Sequence, residues 1–522
     1  MKPNFLIFVT DQHRSDWLSC MGNEILHTPH IDKLAETGVA FDEMYCNTPL
    51  CTPSRATMWT GLPSSVHSAR TNGVDLDHKY PVLPEILKEN GYKTISVGKI
   101  HLKAWHMSPE RGNKNIQEYN PELLPECETV WNRRLCSKMP DGYFGLDKIH
   151  FLGGHGSYCF GEYMQWLEVE YPEVFHALRT QESAKPTTGK PDNYYSVVPK
   201  ELHYNEWIKN YTIQEIRECD DEQPFFLWCS FPDPHFPFGP PAPYYNYYKK
   251  EELPKPIAWD DKREKMNELY HQEYYEDRQE ESIDGGPSQY TLKQIQETKA
   301  LAWGMVNHID DCIGEVMDYL EKSGKLENTV VMFLADHGEL MGDHGMYCKG
   351  PFHYQGLIKV PWIVSWPGHI QENVHQGALT SMLDFMPTIL ELAGIPYPEA
   401  TIKPWEGPFE GKTLYEKDPL PGHSVVPLLT GKCNQVQDSI LIEDDDDIRK
   451  VNLRTLVTSK YKITIYGNKE YGELFDLETD PEERTNLWDD SSYSTLKYQM
   501  IEKLMQKMLE IQDRTTRRIG IA

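Results

Sequence analysis

The chain has 522 residues and carries 52 Lys and Arg against 80 Asp and Glu, a formal net charge of −28. An apolar content of 39% and 13 tryptophans exclude a disordered chain, and the length suggests roughly two to four domains, or one large domain with an appendage. The negative charge argues against binding to nucleic acid or to an anionic membrane surface, because phosphate groups would be repelled.

Features that bear on location favour the cytoplasm. No apolar run approaches the length that spans a bilayer, and the first residues lack the long apolar segment and cleavage site of a signal peptide. The 11 cysteines are odd in number and form no CxxC pair, which favours neither a disulfide framework nor a zinc ribbon. We therefore expect a cytoplasmic, reduced protein, although a signal peptide replaced by a new Met1 would leave the same sequence.

Four short apolar runs rich in β-branched residues have the length and composition of strands that are buried on both faces. They cover residues 5–9, 94–97, 225–229 and 329–334. Long stretches with helical spacing separate them, for example residues 83–89 and 300–320. This alternation predicts an α/β fold with a mainly parallel central sheet.

Polar residues follow each of these four runs directly. They are Asp11 and Gln12, Lys99 and His101, Asp233 and His235, and Asp336 and His337. Ligands of open α/β sheets bind beyond the carboxyl ends of the strands. We therefore predict that four segments far apart in the chain converge on one site at one edge of the sheet.

Two regions differ from this pattern. Residues 240–288 are rich in Tyr, Pro, Glu and Lys, and they predict a surface insertion that is either a substrate-selecting loop or a solvated excursion. Beyond residue 434 the chain predicts short strands and a terminal helix. The predicted strands are 439–442, 453–458, 461–466 and 473–477, and the predicted helix is 495–512. We predict a catalytic α/β domain over residues 1–434 and a small α+β domain with an antiparallel sheet over residues 435–522.

The acidic run 443–447 is interpreted as a solvated loop, because its spacing does not match a calcium-binding EF-hand loop. The charged run 260–265 belongs to the predicted insertion.

Residues 51–55 read Cys-Thr-Pro-Ser-Arg, and Thr60-Gly61 closes the segment. Pro53 and Ser54 suit the first turn of a helix, which places Cys51 at a helix N-terminus beside Arg55. Backbone N–H groups and a guanidinium at that position favour an anion. The alternative for Cys51 is a buried structural cysteine.

This segment resembles the signature of the type I sulfatases, which belong to the alkaline phosphatase superfamily. The similarity covers almost the whole chain and includes the pair Lys99-x-His101 and, near the C-terminus, residues 473–477 with 480–483. It implies an alkaline-phosphatase-like fold, with helices on both faces of the sheet and a small C-terminal domain. It also implies that a formylglycine-generating enzyme oxidises Cys51 to formylglycine, whose hydrate attacks the sulfur of a sulfate monoester.

Two carboxylates, an amide oxygen and an imidazole suit a divalent cation. By the resemblance, the ligands are Asp11, Gln12, Asp336, His337 and the modified Cys51. Many sulfatases carry a second Asp where this chain has Gln12 and an Asn where it has His337. This departure admits magnesium or manganese beside calcium, the ion we expect. It also resembles the phosphonate monoester and phosphodiester hydrolases of the same superfamily, which remain the alternative reaction class.

The pair Lys99 and His101 favours sulfate, because the phosphonate hydrolases carry hydroxyl side chains there. As strand-end neighbours two residues apart, both side chains can point into one pocket. The resemblance gives Lys99 a contact to a sulfate oxygen and gives His101 the proton of the formylglycine hydroxyl. It assigns His235 to the leaving-group oxygen, Lys349 to a second sulfate contact and Arg55 to stabilising the nucleophile.

The substrate is less well defined. Asn72 matches a position that faces the substrate in some sulfatases, and residues 153–163 and 240–248 either line a sugar-binding cleft or pack as loops. We expect a sulfated carbohydrate, followed by an aryl or alkyl sulfate, and a homo-oligomer is compatible with the sequence. The non-enzymatic alternative is a sulfate- or glycan-binding relative in which Cys51 is never converted.

Overall fold

The computed structural model describes most of the chain. The described residues are 2–106, 120–180, 183, 185–186, 188–190, 192–261, 268–271, 286–287, 290–396, 420–447 and 449–511. Of the predicted charged run 260–265, residues 262–265 lie outside this set, as does much of the insertion predicted over 240–288.

The strands are β1 (Asn4–Thr10), β2 (Gly38–Phe41), β3 (Met44–Tyr45), β4 (Lys93–Gly98), β5 (Lys148–Gly153), β6 (Phe160–Gly161), β7 (Phe225–Ser230), β8 (Gly286–Pro287), β9 (Thr329–Ala335), β10 (Met346–Tyr347), β11 (Trp362–Ser365), β12 (Val374–Gln376), β13 (Thr380–Ser381), β14 (Ile440–Asp446), β15 (Val451–Val457), β16 (Tyr461–Tyr466) and β17 (Gly472–Asp476). The helices are α1 (Pro29–Glu36), α2 (Cys51–Thr60), α3 (Ser64–His67), α4 (Leu83–Glu89), α5 (Glu128–Asn132), α6 (Glu162–Glu170), α7 (Pro172–Arg179), α8 (Tyr204–Glu218), α9 (Glu268–His271), α10 (Leu292–Lys322), α11 (Gln355–Ile358), α12 (Phe385–Leu392), α13 (Val426–Leu429) and α14 (Ser494–Glu510).

In the described part of the chain, nine strands form the central sheet, in the order β12-β2-β11-β9-β1-β7-β4-β5-β6. The five strands from β9 to β5 run parallel, whereas β11 and β6 are antiparallel to their neighbours. The predicted mainly parallel α/β sheet is therefore confirmed. Each of the four predicted runs lies inside one of its strands, β1, β4, β7 or β9.

Helices cover both faces of this sheet, because successive side chains of a buried strand point to opposite sides. In β1, Phe5, Ile7 and Val9 join one apolar cluster, to which α2, α4 and α12 contribute. Leu6 and Phe8 join a second cluster with side chains of α8 and α10. The central strands are thus packed against apolar side chains on both faces. Candidate functional residues therefore lie at the ends of these strands.

Strands β14–β17 form a separate antiparallel sheet. Met500 and Leu504 of α14 pack in one apolar cluster with residues of this sheet. The sheet also bonds to the large α/β unit, since Asn47 Nδ2 donates to the Leu441 carbonyl at 2.9 Å. The division into domains at residue 434 stays a prediction.

The interpretation of the acidic run as a solvated loop is wrong. Residues 443–446 belong to β14, and Glu443 and Asp444 are buried. The Glu443 carboxylate accepts hydrogen bonds from Ser64 Oγ and the Ser65 N–H, both at 3.0 Å, at the start of α3. Arg454 Nε lies 3.5 Å from the same carboxylate. Glu443 is buried because the large unit supplies donors that a sequence pattern does not reveal.

All 11 cysteines lie within the described residues, and each is a free thiol. None of the described helices combines the length and the apolar character needed to cross a membrane.

We predict that Glu443→Ala lowers the free energy of unfolding by about 1–2 kcal/mol, because the Ser64 and Ser65 donors lose their buried acceptor. Glu443→Gln retains one acceptor oxygen and should lose less. Urea denaturation measures both variants. The control is Glu502→Ala on the exposed face of α14, which should stay within about 0.5 kcal/mol of the unaltered protein. Equal stability of Glu443→Ala and Glu502→Ala would contradict this capping role.

Candidate active site

The ends of the central strands are joined by backbone hydrogen bonds. The Asp336 N–H donates to the Thr10 carbonyl at 3.2 Å, and the Lys99 N–H donates to the Ser230 carbonyl at 3.1 Å. These bonds place the residues that follow β1, β4, β7 and β9 at one edge of the sheet, as the sequence predicts for a ligand site.

Cys51 begins α2, a ten-residue helix that ends at Gly61, which has the left-handed conformation (φ 67°). The cysteine is 1% exposed. Its Sγ lies 3.1 Å from Lys349 Nζ, 3.2 Å from His337 Nε2 and 3.7 Å from Asp11 Oδ1. Burial and the charge of Asp11 raise the pKa of the Cys51 thiol, but the nearby cations, Lys349 first among them, lower it by more. The pKa of this thiol therefore lies below its usual value. The head of this helix is therefore set up for an anion.

Arg55, one turn further along α2, is fully buried and binds both carboxylates of the site. Its Nε donates to Asp336 Oδ2 at 2.8 Å, and its Nη2 donates to Asp11 Oδ2 at 3.4 Å. Its Nη1 donates to Ser230 Oγ at 2.9 Å. One guanidinium thus fixes the positions of two carboxylates that come from different strands.

The carboxylate, thiol and imidazole atoms of Asp11, Cys51, Asp336 and His337 lie within 4.8 Å of one another and form a candidate metal-ligand group. Gln12 is a further candidate: its Nε2 donates to the Glu339 carboxylate, and its buried Oε1 has no hydrogen-bond partner among the described residues. A buried amide oxygen without a donor is a suitable ligand for a hard cation. The residues present therefore fit a divalent metal.

The ring of His337 is oriented by its own backbone neighbourhood. Its Nδ1 lies 2.9 Å from the Gly338 carbonyl, which requires a proton on Nδ1. Its other ring nitrogen, Nε2, lies 3.2 Å from Cys51 Sγ. A hydrogen bond from the distal ring nitrogen to a carbonyl is the usual support of a metal-binding histidine.

Lys99 lies beside the candidate metal-ligand group, next to Asp11. Its buried ammonium contacts Asp11 Oδ2 and lies 3.0 Å from His155 Nε2. It also lies 4.6 Å from the centre of the Trp105 ring, within cation–π range. These contacts hold the ammonium group of Lys99 in place, and Asp11 is its one carboxylate partner within the described residues.

His101 is held in a left-handed backbone conformation, with φ 61°. The Glu126 carboxylate accepts a hydrogen bond from the backbone N–H of His101 at 2.7 Å. The His101 ring stacks on Trp105, with centroids 3.7 Å apart. Burial, and then the charges of Lys99 and Arg55, hold the pKa of His101 well below its usual range. Its buried Nδ1 has no hydrogen-bond partner within the part of the chain that the structure describes. A neutral imidazole with an unused nitrogen is able to exchange a proton with a ligand.

His235 and Lys349 face each other across the site. Lys349 Nζ lies 3.0 Å from His235 Nε2, and His235 Nδ1 lies 2.6 Å from the Phe236 carbonyl. Burial, followed by the charges of His155 and Lys349, holds the pKa of His235 well below its usual range. Lys349 is therefore the hydrogen-bond donor of this pair, and the neutral ring of His235 is the acceptor.

Asn72 is the predicted site residue that does not join this group. It is exposed, and its Oδ1 accepts the Thr52 N–H at 3.0 Å in the first turn of α2. This contact satisfies one of the free donors at the start of the helix.

The sequence did not single out several residues that the structure brings into the site. They are Trp105, Glu126, His155, Ser230 and Glu339. Ser230 and His155 lie at or beyond the carboxyl ends of strands, where ligands of such sheets bind. However, β5, which precedes His155, begins with three half-buried residues, so its sequence did not predict a buried strand. Glu126, Trp105 and Glu339 lie in loops, where pairing depends on tertiary structure.

Comparisons with known proteins agree with this site. The sulfatase family model matches residues 3–395, and the model of the N-sulphoglucosamine sulphohydrolase C-terminal region matches residues 413–510. The chain belongs to the sulfatase family. It is a sulfuric ester hydrolase, and its relatives carry the corresponding names.

Three relatives illustrate the range of similarity. An arylsulfatase of Clostridium perfringens is 28% identical, with 98% of this chain and 95% of the relative covered. An N-acetylglucosamine-6-O-sulfatase of Bacteroides thetaiotaomicron is 22% identical, with 98% and 87% covered. The crystal structure of a phosphonate monoester hydrolase of Agrobacterium radiobacter superposes with a TM-score of 0.77 at 24% identity, covering 98% of this chain and 97% of the other. The last comparison shows that the fold is shared.

We predict that Gln12→Ala weakens binding of a divalent cation by about ten- to hundredfold, because the candidate site loses the amide oxygen of Gln12. Calorimetric titration of the metal-free protein with calcium, magnesium and manganese measures the affinity. Asn72→Ala is the matched control, because this amide lies outside the ligand group and should leave the affinity unchanged. An unchanged affinity in Gln12→Ala would remove Gln12 from the ligand set.

Proposed function

We propose that the protein hydrolyses a sulfate monoester of a carbohydrate with a nucleophile derived from Cys51. The observation that carries this proposal is the surrounding of Cys51 Sγ: it lies at a buried helix N-terminus, 3.1 Å from Lys349 Nζ and beside two carboxylates held by Arg55. With the buried Lys99, three cations face these two carboxylates, so the pocket is positively charged locally although the chain carries a net charge of −28. It therefore supports binding of an anionic group directly at position 51.

Asp11, Gln12, Asp336 and His337, together with the modified residue 51, would hold a divalent cation. The cation would supply a Lewis acid for an oxygen of the bound ester. Calcium remains the expected ion, and the imidazole nitrogen of His337 also admits magnesium or manganese.

Conversion of Cys51 to formylglycine would supply a hydroxyl nucleophile at the head of α2. Because Cys51 is 1% exposed in the folded chain, a formylglycine-generating enzyme would have to act before this segment folds. Arg55 pairs with Asp11 and Asp336 and orients both carboxylates around residue 51.

Lys99 and Lys349 bind the oxygens of the sulfate group from two sides. Both ammonium groups are buried, so their charges act in a region of low dielectric constant, where they stabilise developing negative charge strongly. Lys349 also lies 3.0 Å from His235 Nε2 and holds the proton of that pair. We propose that Lys349 and His235 together transfer this proton to the leaving-group oxygen.

His101 accepts a proton from residue 51 in the step that releases sulfate. Its neutral ring supports this role, as does its buried Nδ1, which has no hydrogen-bond partner among the described residues, because a base must be unprotonated.

A carbohydrate substrate is supported by the relatives, one of which is named for a sulfated amino sugar. Exposed aromatic rings suit stacking on a sugar, and the predicted stretches 153–163 and 240–248 each carry one. Tyr158 is 59% exposed and lies three residues beyond His155, and Tyr247 is 50% exposed. We assign catalysis to residues 1–434, since all the candidate site residues lie there.

We predict that Cys51→Ala abolishes turnover of an aryl sulfate, because no other residue would supply the nucleophile. Mass spectrometry of the tryptic fragment from protein made beside a formylglycine-generating enzyme should show a mass lower by roughly that of one water molecule. Measurable turnover by Cys51→Ala would refute the assigned nucleophile. An unconverted Cys51 in protein from its own host would instead favour a binding protein.

Hydrolysis of a phosphonate monoester or a phosphodiester is the second candidate. The Gln12 and His337 pair favours it, since this pair resembles the corresponding ligands of those hydrolases. Lys99 and His101 oppose it.

We predict a higher kcat/KM for an aryl sulfate than for an aryl phosphonate monoester or a phosphodiester, because Lys99 and His101 match the sulfatase pattern. The converted enzyme is assayed with calcium, magnesium and manganese on aryl esters that share one leaving group. If the phosphorus esters are preferred, Gln12 and His337 define the reaction class instead. A panel of sulfated sugars then tests the carbohydrate assignment.

A further inference from the structure

The rings of the two candidate catalytic histidines belong to one continuous row of aromatic side chains. Successive centroid distances are 3.7 Å for His101–Trp105, 5.2 Å for Trp105–His155, 3.6 Å for His155–His235 and 4.3 Å for His235–Phe236. His155 lies in the middle of this row. Its ring is nearly parallel to that of His235, at an angle of 7°.

A polar contact connects His155 to the anion-binding side of the site. Its Nε2 lies 3.0 Å from Lys99 Nζ. An ammonium group donates and cannot accept, so His155 Nε2 is the acceptor of this hydrogen bond. The same nitrogen lies 3.6 Å from Asp11 Oδ2, which Lys99 also contacts. His155 therefore contacts Lys99 through its edge and His235 through its face.

The loop that carries His155 is shaped to place this ring. Gly154 and Gly156 flank it with φ values of 77° and 50°, in the left-handed region. A Cβ at Gly154 would lie 2.2 Å from the Tyr158 carbonyl oxygen, and one at Gly156 would lie 2.7 Å from the Tyr194 hydroxyl. Both positions require glycine, so the path of this loop is tightly specified.

We propose that His155 is a positioning residue for the leaving-group step. Polar contacts hold the two nitrogens of the His235 ring, Nδ1 against the Phe236 carbonyl and Nε2 against Lys349. Rotation of the ring about the line through these two nitrogens is left to be restricted by packing on its faces. The flat face of His155 fixes the plane of the ring and keeps His235 Nε2 at 3.0 Å from Lys349. This inference rests on the proposed function, in which Lys349 and His235 protonate the leaving oxygen.

The test measures kcat and KM of the converted enzyme on aryl sulfates whose leaving phenols differ in acidity. His155→Ala should lower kcat by about ten- to hundredfold for the least acidic phenol and much less for the most acidic one, since a poor leaving group needs the aligned proton donor. His155→Phe retains the stacked ring and should keep the leaving-group dependence of the unaltered enzyme. His155→Gln retains a polar acceptor without a ring, and should behave like His155→Ala.

His344→Ala is the matched control, because His344 is a buried histidine whose ring stacks on Tyr354, with centroids 3.8 Å apart, outside the row. It should lower the melting temperature without steepening the leaving-group dependence. A loss in His155→Ala that is equal for all phenols, or a steeper dependence in His155→Phe, overturns the inference. If His155→Ala fails to fold, the opposed predictions for His155→Phe and His155→Gln decide the question. An unaltered enzyme without activity on any aryl sulfate would contradict the proposed function instead.

Discussion

The site depends on the buried ion pairs between Arg55 and the two carboxylates Asp11 and Asp336. All three side chains are fully buried. Removing such charges from water costs several kcal/mol for each ion, and only close pairing offsets this cost. Arg55 is carried by the helix that begins with Cys51, so the same contacts that neutralise the carboxylates also position residue 51 against the ends of β1 and β9.

Charge explains why this cluster favours an anion within an acidic protein. Around residue 51, Asp11 and Asp336 face three permanent or readily held cations, Arg55, Lys99 and Lys349. A divalent cation at the same carboxylates would add to this excess. The surrounding low dielectric constant strengthens each interaction, whereas the acidic residues elsewhere are largely screened by solvent. Local charge at the strand ends therefore determines ligand preference, and the net charge does not.

The sequence reveals those parts of the fold that depend on local pattern. Long apolar runs predict β1, β4, β7 and β9, and the proline near Cys51 predicts the start of α2. Parallel strands then bring their polar ends together, which predicts most of the candidate ligands. His155 was missed because β5 begins with the half-buried residues Lys148, Ile149 and His150, a pattern that does not indicate a strand buried on both faces.

The buried acids of β14 were missed for a related reason. A run of five acidic residues has the composition of a solvated loop. The donors of α3, remote in sequence, together with Arg454 make burial of Glu443 favourable. A residue that is polar in composition becomes part of the interior when another segment satisfies it. Sequence patterns therefore predict strands and helix ends better than the polar contacts between distant segments.

The two carboxylate oxygens of Asp11 contact different parts of the site. Its Oδ1 faces the metal-ligand side, 3.7 Å from Cys51 Sγ and 3.8 Å from His337 Nε2. Its Oδ2 faces the anion-binding side, where it contacts Lys99 and lies 3.4 Å from Arg55. A change at Lys99 would alter the electrostatic environment of a carboxylate that also belongs to the candidate metal-ligand group. The reaction class of such a site is therefore a property of both sides together, and neither Gln12 with His337 nor Lys99 with His101 determines it alone.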